Sequence, residues 1–149
     1  MALPALPARL SLVTLGTRDF ARMRTFYLGL GWPVGVDIDG DLVSFLLGGV
    51  VLGLYPLDLL AAEAAPGTPG PGGGWSGVTL SCNCDTRDEV DIPFAAAVAA
   101  GATATAEPVD RVWGGRSGYF ADPEGNRWEI AWAPGMEFDA RGAVTRFGE

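Results

Sequence analysis

A stretch that disfavours both helix and sheet divides this chain into two halves. Residues 66–74 are Pro-Gly-Thr-Pro-Gly-Pro-Gly-Gly-Gly; proline removes backbone donors, and glycine is costly to order. We therefore predict a first module over residues 1–64, a linker over residues 65–74, a second module over residues 75–133 and a C-terminal tail over residues 134–149. We expect one compact domain overall, because 149 residues is close to the usual size of a single domain.

The first half begins with alternating apolar and polar residues at 10–16, which predict a β-strand. A helix is predicted to begin at Asp19, whose side chain suits a helix N-terminus, and to end at Gly31. Three further strands and a short helix follow, at residues 33–38, 42–47, 50–55 and 57–64.

The second half repeats this order. A strand is predicted at residues 77–82 and a helix at residues 86–100, with Gly101 ending the helix. Three strands then follow, at residues 103–108, 117–121 and 127–132. The same order in both halves predicts two copies of one β-α-β-β-β unit.

The repeat predicts an α+β fold in which the two β-α-β-β-β modules pair. A four-stranded sheet with one helix buries only one of its faces. Pairing two such units gives a curved, cup-shaped mixed sheet with the helices outside and a concave face left open. A concave face lined by strand residues is a natural site for a small ligand.

The basic residues restrict the chemistry that the chain can perform. There is no histidine and no lysine, so all 10 basic residues are arginine. Histidine relays, histidine metal ligands and lysine Schiff bases are therefore excluded within one chain. The formal net charge of −8 also argues against a nucleic-acid partner, since phosphate contacts need clustered cations.

Two further observations bear on location. The chain has no apolar run of about 18 residues, the length that a membrane-spanning helix needs. Pro4 and Pro7 interrupt the apolar stretch that a signal peptide would require. We therefore expect a cytoplasmic protein that has no membrane partner.

The two cysteines, Cys82 and Cys84, lie two residues apart on a predicted strand and so face the same side. They are either half of a thiolate metal site or two small residues packed on a strand. We favour packing, because tetrahedral sites need four ligands and the chain has no second Cys or His pair.

Two motifs near the ends of the modules resemble one known family. The first is Leu-Val-Thr-Leu-Gly-Thr-Arg-Asp at 12–19, followed by Phe26-Tyr27 and Leu30-Gly31; the second is Gly-Tyr-Phe-Ala-Asp-Pro-Glu-Gly-Asn-Arg-Trp-Glu at 118–129. Together they resemble the vicinal oxygen chelate superfamily of glyoxalases, bleomycin-resistance proteins and extradiol dioxygenases. The resemblance implies paired β-α-β-β-β modules, a homodimer and a ligand held in the cup.

The resemblance also indicates where metal-dependent members hold their metal, on the first and fourth strands of each module. In this chain those positions fall at Leu12, Gly53, Gly77 or Val78, and Glu129. Only Glu129 offers a charged oxygen, whereas an open metal site needs about three protein ligands. We therefore predict no metal and no cofactor.

Strand alternation gives some of the candidate site residues. The resemblance implies others, because family members often shape their ligand pocket around the segment that holds Trp113, Arg116 and Tyr119. On the last strand Arg127 and Glu129 share one face, and we expect that face to look into the cup. Glu129 is the candidate catalytic residue, either as a base or as an acceptor for a ligand; the alternative is a structural ion pair with Arg127 or Arg116. The candidate ligand-binding residues are Leu12, Thr14, Phe45, Gly53, Tyr55, Trp113, Arg116, Tyr119 and Arg127.

Aromatic residues in this set have a second explanation. Trp113 and Tyr119 are placed to stack on a planar ligand, but residues of this size more often belong to a core.

Three functions remain open. The first is metal-free binding of a small apolar or aromatic molecule, which an apolar cup favours through hydrophobic burial. The second is an enzyme, a lyase, isomerase or dioxygenase, that uses Glu129 with or without a divalent metal. The third is a module that acts by dimerisation alone.

Overall fold

The computed structural model describes residues 6–148. Residues 1–5 belong to the predicted first module and include Pro4, one of the two prolines that argue against a signal peptide. Together with Glu149, the end of the predicted tail, they lie outside the described residues.

The first half folds into a four-stranded mixed sheet and two helices. Its elements are β1 (Leu12–Thr17), α1 (Phe20–Gly29), β2 (Val34–Ile38), β3 (Leu42–Leu46), β4 (Val51–Pro56) and α2 (Leu57–Ala64). The strand order is β1-β4-β3-β2, with β1 parallel to β4 and the other pairs antiparallel. The crossover from β1 through α1 allows the parallel pairing.

The second half repeats this topology. Its elements are β5 (Thr79–Asn83), a 3-10 turn (Arg87–Glu89), α3 (Asp91–Ala99), β6 (Thr103–Asp110), β7 (Arg116–Ala121) and β8 (Arg127–Trp132). The strand order is β5-β8-β7-β6, again with one parallel pair. The predicted α+β class with two β-α-β-β-β modules is confirmed.

The helix predicted over residues 86–100 begins later than expected. The segment forms a 3-10 turn at Arg87–Glu89, and α3 starts only at Asp91. Pro93 accounts for the late start, because proline has no N–H to donate to the carbonyl of residue 89. In the first turn of α3 that missing donor costs nothing.

One apolar core joins the two halves. The ring of Tyr27 on α1 lies 6.0 Å from that of Phe45 on β3 and 6.3 Å from that of Trp128 on β8, centroid to centroid. In one continuous sheet joined at β1 and β5, four strand spacings of about 4.8 Å, roughly 19 Å, would separate β3 from β8. The apolar faces of both sheets therefore pack against α1 at the same time.

Two polar contacts also connect the halves. The Tyr27 hydroxyl donates to Asp122 Oδ2 at 2.7 Å and accepts from Trp128 Nε1 at 2.9 Å. The carboxylate of Glu124 accepts from the backbone N–H groups of Arg18 and Asp19, at the start of α1. The turn at residues 122–126 of the second half thus binds α1 through Tyr27 and the backbone just before the helix. The helix itself is capped by Asp19, whose side chain accepts from the Arg22 N–H at 3.1 Å, as predicted.

The tail returns to the first half. Strands β9 (Glu137–Phe138) and β10 (Val144–Arg146) form a hairpin, and Gly142 adopts a positive φ of 86° in the turn. A Cβ atom on Gly48 would lie 2.5 Å from the Gly142 carbonyl carbon, so the hairpin packs directly on the β3–β4 turn. In the described part of the chain, no helix is long and apolar enough to cross a membrane.

Candidate functional site

Strand alternation gives the second sheet one face in the core and one face open. Trp128 and Ile130 on β8 are buried in the core, so Arg127 and Glu129 point to the opposite side. We call this opposite side the second open face.

A polar cluster occupies the centre of the second open face. The Ser81 hydroxyl on β5 donates to Glu129 Oε2 at 3.0 Å. Tyr119 on β7 is the antiparallel partner of Glu129, and Ser81 is its parallel partner. The sheet therefore places a carboxylate between a hydroxyl and a phenol on three adjacent strands.

Tyr119 keeps its proton at neutral pH. Burial raises the pKa of Tyr119 above its usual value of 10.0, and the adjacent Glu129 carboxylate raises it further, while Arg111 acts in the opposite direction. The phenol is consequently a hydrogen-bond donor beside the Glu129 acceptor.

Arg111, in the turn between β6 and β7, covers the other side of Tyr119. Its Nε donates to Ser117 Oγ at 2.9 Å and its Nη2 donates to the Ser117 carbonyl at 3.1 Å. The guanidinium carbon lies 5.7 Å from the centroid of the Tyr119 ring. These contacts hold the cation over the second open face.

The first sheet has an open face of different character, the first open face. Leu12 and Thr14 on β1 lie there beside Gly53 on β4, which is the register partner of Thr14. A Cβ atom on Gly53 would meet Thr14 Oγ1 at 3.7 Å and the Val13 carbonyl oxygen at 4.0 Å, both ordinary contacts. Leu12 is 57% exposed and Leu46 on β3 is 51% exposed, so this face is largely apolar.

Helix α2 covers one end of the first open face. A Cβ atom on Gly16 would lie 2.6 Å from Leu57 Cδ1, so the helix rests directly on β1. The Tyr55 hydroxyl is 3.1 Å from Glu63 Oε1 on the same helix, to which it donates. The predicted ligand-binding residue Tyr55 thus lies at the edge of α2.

Two predicted ligand-binding residues lie away from both open faces. Phe45 is fully buried in the core against Tyr27, because it falls on the core side of the alternation on β3. Arg116 falls on the core side of β7 and pairs with Asp91 on α3, with Nε 2.9 Å from Oδ1. A third residue, Trp113, is half exposed in the β6–β7 turn, where its ring packs on Gly115.

The alternative ion pair of Glu129 is not formed with either arginine in the described residues. Arg127 Nη1 donates to the Gly125 carbonyl at 2.8 Å, and Arg116 is engaged by Asp91 and Asp110. A groove of about 260 Å³ lies beside Arg127, between the free edges of β1 and β5. It is lined by Val13, Thr14, Leu15, Ser76, Val78, Leu80, Asn126 and Arg127.

Strand register relates to one another the positions at which the resemblance places the family's metal ligands. Leu12 pairs with Val51, two residues before Gly53, and Thr79 pairs with Arg127, two residues before Glu129. Thr79 is therefore the counterpart of Leu12, rather than Gly77 or Val78. The four positions offer one carboxylate and one neutral hydroxyl, a donor set that does not fit a divalent metal. Across residues 6–148, no three His, Cys, Asp or Glu side chains come together as metal ligands.

The cysteines pack against the core. Burial raises the pKa of Cys82, and burial together with nearby Cys82 and Glu89 raises the pKa of Cys84 to about 11. Neither thiol is a reactive thiolate at neutral pH.

A family model described as the glyoxalase/bleomycin resistance protein/dioxygenase superfamily matches residues 9–130. The chain belongs to this superfamily. The match spans both modules and ends just after Glu129, so it includes both motifs on which the resemblance rests. No curated protein matches the sequence.

Solved structures of this superfamily share the fold. A glyoxalase-related enzyme from Fulvimarina pelagi is 28% identical with a TM-score of 0.84, over 95% of this chain and 99% of that one. A family enzyme from Burkholderia phytofirmans PsJN is 25% identical with a TM-score of 0.71, over 84% and 98%. Lactoylglutathione lyase from Agrobacterium tumefaciens is 22% identical with a TM-score of 0.66, over 86% and 96%, a likeness that shows the fold alone.

Two residues of the second open face, Ser81 and Arg111, were not predicted from the sequence. Ser81 could have been predicted, because a strand parallel to β8 places one of its alternate residues opposite Glu129. Arg111 carried no such signal. It lies in a turn, and only the folded hairpin brings it over Tyr119.

Proposed function

We propose that this superfamily member binds a small, largely apolar or aromatic molecule, using its own side chains rather than a divalent metal. The observation that carries the proposal is the donor set at the family's metal positions, which is Leu12, Gly53, Thr79 and Glu129. These residues form an apolar wall on one sheet and a hydrogen-bonding wall on the other. Such a combination suits a ligand with an apolar body and one polar end.

We also infer that the binding cup is completed by a second copy of the chain. Both sheets turn their apolar faces to the shared core around Tyr27, so each open face lies on the outside of one chain. A homodimer that opposes the first open face of one protomer to the second open face of its partner would enclose a ligand between them. The exposed Leu12 and Leu46 would then become buried.

The metal content of the purified protein tests the first part of the proposal. Elemental analysis should find less than a stoichiometric amount of zinc, nickel, manganese or iron. A thermal-shift screen with planar antibiotics and aromatic metabolites should then identify compounds that raise the unfolding temperature, since a ligand that binds only the folded state stabilises it. One metal equivalent per chain, or a uniformly flat screen, would contradict the proposal.

A second candidate function is proton transfer by Glu129 in a lyase or isomerase. Two hydroxyl groups flank this carboxylate, those of Ser81 and Tyr119, an arrangement suited to orienting a general base beside a proton donor. Glu129→Gln keeps the shape but removes the base, so it should abolish such turnover. If the wild-type protein binds a ligand without turnover, and Glu129→Gln binds it with the same affinity, the binding function is favoured instead.

A further inference from the structure

We propose that Arg111 is a ligand-recognition residue that binds an anionic group, such as a carboxylate, at the polar end of the ligand. This inference rests on the proposed function, because it concerns the same cup. It assigns a charge class to the ligand and a role to a residue outside both family motifs.

The position of Arg111 is fixed by the protein. Two of its nitrogens donate to Ser117, one to the side chain and one to the backbone carbonyl. Ser117 is 1% exposed, so its oxygens bind the guanidinium from beneath, from within the sheet. The planar group is held in one orientation before any ligand arrives, which lowers the entropy cost of binding.

The charge of Arg111 is not neutralised by a carboxylate in the described structure. The arginine–carboxylate pairs there involve Arg24, Arg87, Arg116, Arg141 and Arg146, although acidic residues outnumber basic ones, 18 to 10. The two bonds to Ser117 leave Nη1 without a hydrogen-bond acceptor among the described residues. A half-buried cation with a free donor favours an anionic ligand.

The surroundings of Arg111 define where the anion would lie. The Arg111 guanidinium lies over the Tyr119 ring, and the Glu129 carboxylate lies beside Tyr119 on the neighbouring strand. An anion beside Glu129 would be repelled, whereas an anion beside Arg111 is attracted and lies next to an aromatic surface. The geometry points to an aromatic carboxylate whose acid group meets Arg111 and whose ring lies toward the apolar wall.

Three probes with one aromatic body test this assignment. They are 3-phenylpropionate, its uncharged methyl ester and the cationic phenethylamine, each titrated calorimetrically into the full-length protein. The wild-type protein should bind the acid about tenfold more tightly than the ester, as expected for one charge-assisted contact. Arg111→Gln should remove this preference and leave the affinity for the ester unchanged.

A matched variant controls for the loss of one positive charge. Arg141→Gln, in the tail, removes a charge from a side chain that is 81% exposed and should retain the acid preference. Unchanged ester binding by Arg111→Gln shows that the variant still folds.

Three patterns of binding, and the absence of binding by every probe, would overturn the role of Arg111. The three patterns are equal binding of acid and ester by the wild type, tightest binding of the amine, and an acid preference that survives in Arg111→Gln. Failure of all three probes also overturns it, and the wider screen then decides separately whether the cup binds neutral compounds. A hit there would sustain the proposed function without the anion.

Discussion

The hydroxyl of Tyr27 joins the two modules through two buried hydrogen bonds. It donates to Asp122 and accepts from Trp128, and the residue is fully buried. Tyr27→Phe keeps the ring but leaves the Trp128 N–H without its acceptor. We expect a loss of about 1–3 kcal/mol in the free energy of unfolding, measured by urea denaturation.

Tyr55→Phe is the matched control for that substitution. It removes a hydroxyl that bonds Glu63 at the surface, where water replaces the lost partner. The change should stay within about 0.5 kcal/mol. Equal effects of the two substitutions would contradict a special role for the Tyr27 hydroxyl.

The three tyrosines predict how stability depends on pH. Burial raises the pKa of Tyr27 well above 10.0, the bond to Glu63 raises that of Tyr55, and burial raises that of Tyr119. Because the folded state holds these protons more tightly than the unfolded chain, their stabilisation is complete below pH 10 and is lost as pH rises through the folded-state values. Ultraviolet titration should detect little tyrosinate at pH 10 while circular dichroism remains native.

Tyrosine ionisation at its ordinary pKa in the folded protein would contradict this expectation. Tyr27→Phe provides the comparison: it should lower stability at neutral pH and flatten the decline at alkaline pH.

Single residues also show what alternation can and cannot predict. It correctly places Leu12, Thr14 and Glu129 opposite the core, because their strand neighbours are apolar. It does not determine which partner a long side chain binds. Arg116 was expected to bind a ligand, whereas it pairs with Asp91 on α3. Arg111 was not predicted, because a residue in a turn belongs to no hydrophobic repeat.

At the level of elements, Gly16 determines how closely α2 approaches β1. Its missing Cβ leaves room for Leu57 Cδ1, which would otherwise lie 2.6 Å away. Gly16→Val should push the helix away from the sheet and reduce the free energy of unfolding by about 1–3 kcal/mol. Gly53→Ala is the control, because its Cβ would meet Thr14 at an ordinary 3.7 Å.

Denaturation curves of Gly16→Val and Gly53→Ala test whether α2 is held against β1. If Gly16→Val were as stable as Gly53→Ala, α2 would not be held on the first open face in solution.

Glu124 links two segments that lie far apart in the sequence, its own turn and the residues just before α1. Its carboxylate accepts from the N–H groups of Arg18 and Asp19, where the helix dipole also favours a negative charge. Glu124→Ala should cost about 1–2 kcal/mol, and Glu124→Gln less, because the amide oxygen still accepts. Thermal unfolding measures both.

Glu137→Ala in the tail is the control for loss of a carboxylate, since its pairing with Arg146 is exposed to solvent. A similar loss from this variant would argue that net charge, rather than the hydrogen bonds to Arg18 and Asp19, explains the Glu124 effect.

Sequence patterns predicted these elements well because hydrophobic period and turn residues are local properties. The boundaries of the eight module strands fall within a few residues of those predicted. The predicted start of the helix at residue 86 was wrong. The apolar spacing extends to residues before Pro93, but Pro93 has no N–H with which to continue the helical hydrogen bonds in that direction. The contact between Glu124 and the backbone before α1 could not be predicted, since it requires knowing which turn meets which helix.

For the whole molecule, the repeat predicted two paired modules that form one curved sheet with the helices outside. The structure has two four-stranded sheets, and Tyr27 on α1 contacts both of them. Apolar residues mark which face of a sheet is buried and leave open which module covers it. The aromatic contacts of Tyr27 with both Phe45 and Trp128 decide this, and they place both open faces on the outside. That arrangement is the physical basis for expecting a second copy of the chain.

The oligomeric state therefore tests the arrangement of the cup. Sedimentation velocity of the wild-type protein should give a homodimer, and Leu46→Asp should shift it to monomer, since it places a charge on the largely apolar first open face. Ile92→Asp makes the same change on α3, at a residue 71% exposed and outside both open faces, and should leave the dimer intact. If the wild type is monomeric, or if Leu46→Asp dimerises as well as Ile92→Asp, the ligand cup cannot depend on two opposed faces. A dimer lost only in Leu46→Asp, together with loss of ligand-induced stabilisation, would instead place the cup between two protomers.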